Sequence, residues 1–249
     1  MIKKVLAFFC ISCFPLSNMA QSSQKSIDEE LKIRNEISGG YMLHPRGMGI
    51  NLKQGRRLNE NNWRVISFDL LSMKHPKEFR VRSTGFSSPG SYIFGKLNSA
   101  FFVRGGIGIK KNLSGKLYRN TISASVQIEG GPVLGLLKPV YLEIYHSAPD
   151  LQNGYLLSER YNPDVHTDQS VIFGNSRFGK GLGDTKARAG AYVKAGLQLD
   201  WSDFPDHLQS IELGISVDMF PQHLPIMAYA ANKNVYGSLY ICINLGNRW

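Results

Sequence analysis

The sequence predicts an all-β chain, an antiparallel up-and-down transmembrane β-barrel of eight strands, with ten as the alternative count. Three observations lead there. Extended stretches alternate apolar and polar residues repeatedly, and successive strand side chains point to opposite faces, so each stretch has one greasy and one polar side. Beyond the N-terminus, no run approaches the roughly 18 apolar residues that a helical span requires. The final stretch is both two-faced and closed by an aromatic residue.

That final stretch, Val235 to Trp249, sets Val235, Gly237, Leu239, Ile241, Ile243 and Leu245 against Tyr236, Ser238, Tyr240, Cys242, Asn244 and Gly246. One side suits hydrocarbon and the other suits a polar lumen, as in the strands of outer-membrane barrels.

The N-terminus supports export. In residues 1–20, Lys3 and Lys4 precede an apolar core from Val5 to Leu16, and Ala20 ends a small-residue site, the layout of a signal peptide. Asn18 departs from the small residue preferred three positions before the cut. Cys13, preceded by Ser12, offers a lipoprotein alternative, but Cys10 stands where an aliphatic residue is usual. Loss of Cys10 and Cys13 with the leader leaves Cys242 without an internal disulfide partner, so closure and packing must hold the fold. The chain carries 29 basic and 19 acidic residues, and a positive excess survives removal of Lys3 and Lys4. Such a balance favours anionic lipid, lipopolysaccharide phosphate or nucleic acid, and export argues against nucleic acid. Residues 21–36, with Lys25, Asp28, Glu29 and Glu30, read as a polar periplasmic leader, and residues 37–249 as the barrel.

The first strand is expected within Ile37 to Lys53, clearest where Met48, Ile50 and Leu52 alternate with Gly49, Asn51 and Lys53, with Pro45 as a bend. Asn59 to Asn62 makes a turn. The second strand, Trp63 to Met73, points Ile66, Phe68 and Leu70 outward and Ser67 and Asp69 inward, although Val65 and Leu71 break the pattern. The third, Asn98 to Ile109, opposes Phe101, Val103, Ile107 and Ile109 to Arg104, Gly106 and Gly108. The fourth runs from Ile122 to Glu129 and stops at Gly130, Gly131 and Pro132; the fifth covers Pro139 to Tyr145. The sixth, Ala187 to Trp201, and the seventh, Ser210 to Met219, alternate cleanly. With eight strands, Ser202 to His207 becomes an inner turn, and Ser147 to Lys186 and Pro221 to Asn234 become outer loops. Lys74 to Ser91 then falls on the inner side as an oddly long connection. A hairpin of Phe79 to Ser83 with Tyr92 to Phe94 would instead give ten strands.

The polar faces collect Arg104, Glu129, Glu143, Arg188, Lys194, Glu212 and Asp218, a mixed-sign set expected to form a lumen charge network. A soluble barrel or sandwich would instead turn these charges to water and the apolar rows inward. Trp201 and Trp249 both end strands at the expected inner rim, as an interfacial aromatic belt requires.

The alternating exported chain, its terminal strand, and the stretches Ser72 to Glu78 (SMKHPKE) and Gly130 to Tyr141 (GGPVLGLLKPVY) resemble small outer-membrane barrels common in Bacteroidota. The resemblance implies architecture, with the barrel-assembly machinery engaging the C-terminal strand and outer-membrane lipid around the wall, but no catalytic motif. Asn247 departs from the usual aromatic or apolar residue two before the end.

Functional candidates are sparse. Lys74, His75, Lys77, Arg80 and Arg82 form a basic segment able to hold a phosphate-bearing lipid, an anionic glycan or a protein partner. His146 and Ser147, with Glu143, suggest a lipid A hydrolase, but neighbouring strand residues face opposite ways, so a local triad is awkward. Gly174 to Gly181 imitates a phosphate loop with Gly181 where Ser or Thr belongs. His44, His75, His166, His207 and His223 lack metal-ligand spacing, and no cofactor is expected. The expected role is therefore structural or binding, through the long outer loop or the basic segment, with a hydrolase as the alternative and a narrow channel third.

Overall fold

The computed structural model describes residues 33–83, 90–114, 121–147 and 154–249; the expected signal peptide and residues 21–32 of the expected leader lie outside these. In chain order its strands are β1 (Asn35–His44), β2 (Gly47–Arg57), β3 (Asn62–Met73), β4 (Val81–Arg82), β5 (Ser91–Tyr92), β6 (Asn98–Asn112), β7 (Ser123–Pro139), β8 (Tyr141–His146), β9 (Tyr155–Arg160), β10 (Ile172–Asn175), β11 (Lys186–Asp200), β12 (His207–Met219) and β13 (Val235–Arg248). Eight of them close an antiparallel barrel in the order β1-β13-β12-β11-β7-β6-β3-β2. The first and last strands pair directly, from Glu36 opposite Arg248 to Leu43 opposite Ile241. Closure leaves this sheet no unpaired edge, the condition for a sheet to sit in hydrocarbon.

The count of eight agrees with expectation, but its membership differs. The stretch read as one strand, Ile37 to Lys53, is a hairpin: β1 and β2 pair from Asn35 opposite Arg56 to His44 opposite Gly47, turning at Pro45 and Arg46. At Gly47 a Cβ would collide with the Ser72 carbonyl oxygen, so this tight corner against β3 needs glycine. Conversely, the expected fifth strand is not in the barrel. β7 continues through Gly130, Gly131 and Pro132 as far as Pro139. Pro132 lacks an N–H, and the β6–β7 pairing is interrupted between Arg104 opposite Val133 and Ile107 opposite Gly130. On the other side, β11 pairs straight through this point, Ala191 opposite Pro132, and carries the strand onward. β8 instead forms a separate sheet, β10-β8-β9.

Splitting the first strand inverts every later direction and removes the odd long inner connection. β2, β6 and β11 end on the side that holds Asn35 and Arg248, while β3, β7 and β12 end on the opposite side. The extra hairpin exists as β4 paired with β5, but as a small sheet separate from the barrel, so ten barrel strands are not formed.

The wall separates two chemistries. Outside stand Ile66, Phe68, Ile107, Ile128, Leu213, Ile215, Leu239, Ile241 and Leu245, all well exposed. Inside, β3 places Trp63, Val65, Ser67, Asp69, Leu71 and Met73 on one buried face, so Val65 and Leu71 never broke the alternation; they are apolar lumen residues.

Candidate functional site

The lower lumen is built of ion pairs. Asp69, Arg104, Glu129, Lys194, Glu212 and Asp218 project inward from β3, β6, β7, β11 and β12, because each holds the inward parity of its strand. Arg104 grips Asp218 with Nε 2.7 Å from Oδ1 and one terminal nitrogen 2.5 Å from Oδ2, a two-pronged pairing. Lys194 lies 3.1 Å from Glu129 and 3.4 Å from Asp69, while Lys53 bonds Glu212 and lies 3.4 Å from Glu129. Tyrosines complete it: Tyr240 donates to Glu212 at 2.6 Å, and the Arg104 guanidinium lies 5.1 Å from the Tyr192 ring centre. Gly106 makes this possible, since a Cβ there would overlap the Tyr192 hydroxyl.

A second cluster fills the end near the termini. Glu36 bonds Lys110 and lies 3.4 Å from Arg248, which reaches Asp200 at 2.6 Å, while Lys110 sits 5.0 Å from the Trp63 ring centre. Sequence reading omitted Glu36, Lys53, Asp69, Lys110, Asp200 and Arg248 from the network. Glu36 falls in the expected leader and Lys110 one residue past the expected strand end, yet both keep the alternation along β1 and β6.

Two residues expected in the network lie elsewhere. Glu143 belongs to β8, outside the barrel. Arg188 has inward parity, but β12 stops at Met219 opposite Ala191, so Arg188 stands above the closed wall and is exposed.

The upper lumen is apolar. Met42, Leu71, Met73, Phe102, Val133, Leu137, Tyr236 and Tyr240 surround Leu224, Ile226 and Met227, which descend from residues 220–234 as a plug. Phe102, Phe220 and Tyr236 pack as mutually inclined rings, with centroids 5.1–6.2 Å apart. The loops hold one another. Leu97 N donates to the Ile226 carbonyl at 2.9 Å, Ala228 N to the Gly95 carbonyl at 2.7 Å, and Asn232 Oδ1 accepts from Ile226 N and Met227 N. Above them, Tyr92 packs with Leu142, Ile144, Tyr161 and Ile172, joining the β4–β5 hairpin to the β8–β9–β10 sheet as one cap.

Of the basic segment, Lys74 and Arg80 line one cavity of ≈ 380 Å³. His75 is buried with Nε2 3.4 Å from the Ala231 carbonyl, and Lys77 and Arg82 are exposed elsewhere. The His146–Ser147–Glu143 set is not assembled: His146 Nε2 lies 2.7 Å from Glu159, whose other oxygen lies 3.2 Å from His166. Partial burial pushes the Glu159 carboxyl up, but hydrogen bonds from His166 and His146 outweigh it and hold it below the usual range. Among the described residues no group of three potential metal ligands occurs. Trp201 and Trp249 are both substantially exposed at the end holding the termini.

A closed antiparallel wall that is apolar outside and ion-paired inside is a barrel of the outer-membrane type. No protein-family model matches the chain, and no curated protein does. Among solved structures, Neisserial surface protein A is similar at a TM-score of 0.40 with 8% identity, covering 87% of this chain and 97% of that one. Ail, the attachment invasion locus protein of Yersinia pestis, gives 0.36 with 8% identity over 87% and 96%, and the N-terminal β-barrel domain of Pseudomonas aeruginosa OprF 0.38 with 5% over 88% and 100%.

Proposed function

We propose that this chain is an integral protein of the bacterial outer membrane that binds through its outer cap and does not conduct. The observation that carries the reading is the filled interior: ion pairs below and the Leu224–Ile226–Met227 plug above leave the cap as the accessible working surface. Ordered loops on a rigid scaffold are where binding residues usually sit. The signal peptide would deliver the chain, and the two-faced strand ahead of Trp249 would engage the barrel-assembly machinery. The hydrolase alternative gains nothing from His146, whose ring bonds Glu159.

Orientation tests the reading. With Cys242 changed to Ser, Val165→Cys on the cap should react with a membrane-impermeant maleimide on intact cells, and Asp203→Cys in the opposite turn only after permeabilisation. The reverse pattern, or recovery of the mature chain in the water-soluble fraction, overturns it.

A further inference from the structure

The outside of the wall carries an unexplained ammonium. Register across β3, β6 and β7 stacks two outward rows, Leu70–Val103–Leu134 and then Ser72–Phe101–Leu136. The next row holds Ser99 opposite Lys138, with Lys74 following Ser72 by one further step on the same side. Cations therefore begin where the apolar belt ends, at the cap end of the barrel.

Lys138 is 7% exposed, and among the described residues its only side-chain partner is the Phe178 ring, 4.5 Å from its nitrogen to the ring centre. The ammonium of a largely buried lysine with no carboxylate beside it is ordinarily completed by an anion or by water. It faces the ≈ 380 Å³ cavity, which Lys74, Arg80, Lys96 and Arg177 also line. Among the described residues Glu78 is the single carboxylate lining it, and Lys96 holds that carboxylate at 2.6 Å. Five cations from three separate parts of the chain thus converge with one acid among them.

Resting on the outer-membrane reading above, we infer that this cavity binds the phosphate of an anionic lipid in the outer leaflet, with Lys138 as the buried anchor and Lys74, Arg80 and Arg177 as the rim. A lipid fits better than a free anion because Ser99 and Lys138, which line the cavity, stand one outward row beyond Phe101 and Leu136, along which acyl chains would run. Phe178, 66% exposed and lining the cavity, adds aromatic surface there, as expected for an interface.

The test uses the full mature chain in a neutral detergent. Dihexanoyl phosphatidic acid is titrated by calorimetry beside dihexanoyl phosphatidylcholine, which has the same chains but no net charge, and beside inorganic phosphate. The phosphatidic acid should bind at least tenfold more tightly than either, less so in high salt, and Lys138→Met should weaken it at least tenfold. Arg80→Gln with Arg177→Gln, both at exposed positions, should weaken it severalfold and serves if Lys138→Met does not fold. Equal binding of inorganic phosphate overturns the lipid assignment. Equal binding of phosphatidylcholine, or full affinity in these variants, overturns the site and leaves Lys138 a packing partner of Phe178. Heat-modifiable gel mobility of the same samples reports the barrel independently, so failure of the site is distinguishable from failure of the membrane reading.

Discussion

Arg104 is fully buried, with paired contacts to Asp218 and a longer one to Asp69 at 3.7 Å. Removing one partner of such a pair strands a carboxylate in a closed interior, whereas removing both leaves only Asp69, which Lys194 still holds at 3.4 Å. Arg104→Met should therefore lower stability by about 3–5 kcal/mol. Adding Asp218→Leu should return a large part of that loss. Urea titrations of the refolded barrel in lipid vesicles, combined as a double-mutant cycle, read the coupling; a cost under about 1 kcal/mol for Arg104→Met would falsify this view of the lumen.

At the level of the strand, alternation dictates cost by face. Leu213 of β12 stands near the middle of the outward apolar rows, paired with Ile241 and Leu197, while Met219 ends the same strand at the cap side. A charge at the bilayer centre is expensive and one near the interface is not, so Leu213→Arg should cost about 2–4 kcal/mol and Met219→Arg about 0–1 kcal/mol. Similar penalties at both positions in vesicle refolding would count against a hydrocarbon-facing wall. Strand faces were legible in the sequence because they depend only on parity; strand ends were not. Pro45–Arg46 carries no Asn-Gly or Asp-Gly hairpin signature, so two strands read as one. Gly130–Gly131–Pro132 resembled a terminator, and only the intact β11 ladder shows that the strand passes through it.

For the whole molecule, the two layers inside the barrel close it independently. Purified protein in planar bilayers should give no stable single-channel steps. Replacing residues 221–233 by a short turn should also give none, because the Arg104 and Lys194 layer lies below the plug and remains paired. Regular conductance from the intact protein would restore the channel reading. Of the basic segment picked out in the sequence, Lys74 and Arg80 join a cavity, and they do so with Lys96, Lys138 and Arg177, which are distant along the chain.

What the sequence determined unaided was the class of object: a two-faced ribbon whose apolar rows demand a non-aqueous surround, since the period of two follows from backbone geometry at every residue. Which residues meet was decided by closure. Register around the barrel sets Lys53 beside Glu212, and the cap's return to the wall sets Phe178 beside Lys138, pairings between residues far apart along the chain that local alternation cannot encode.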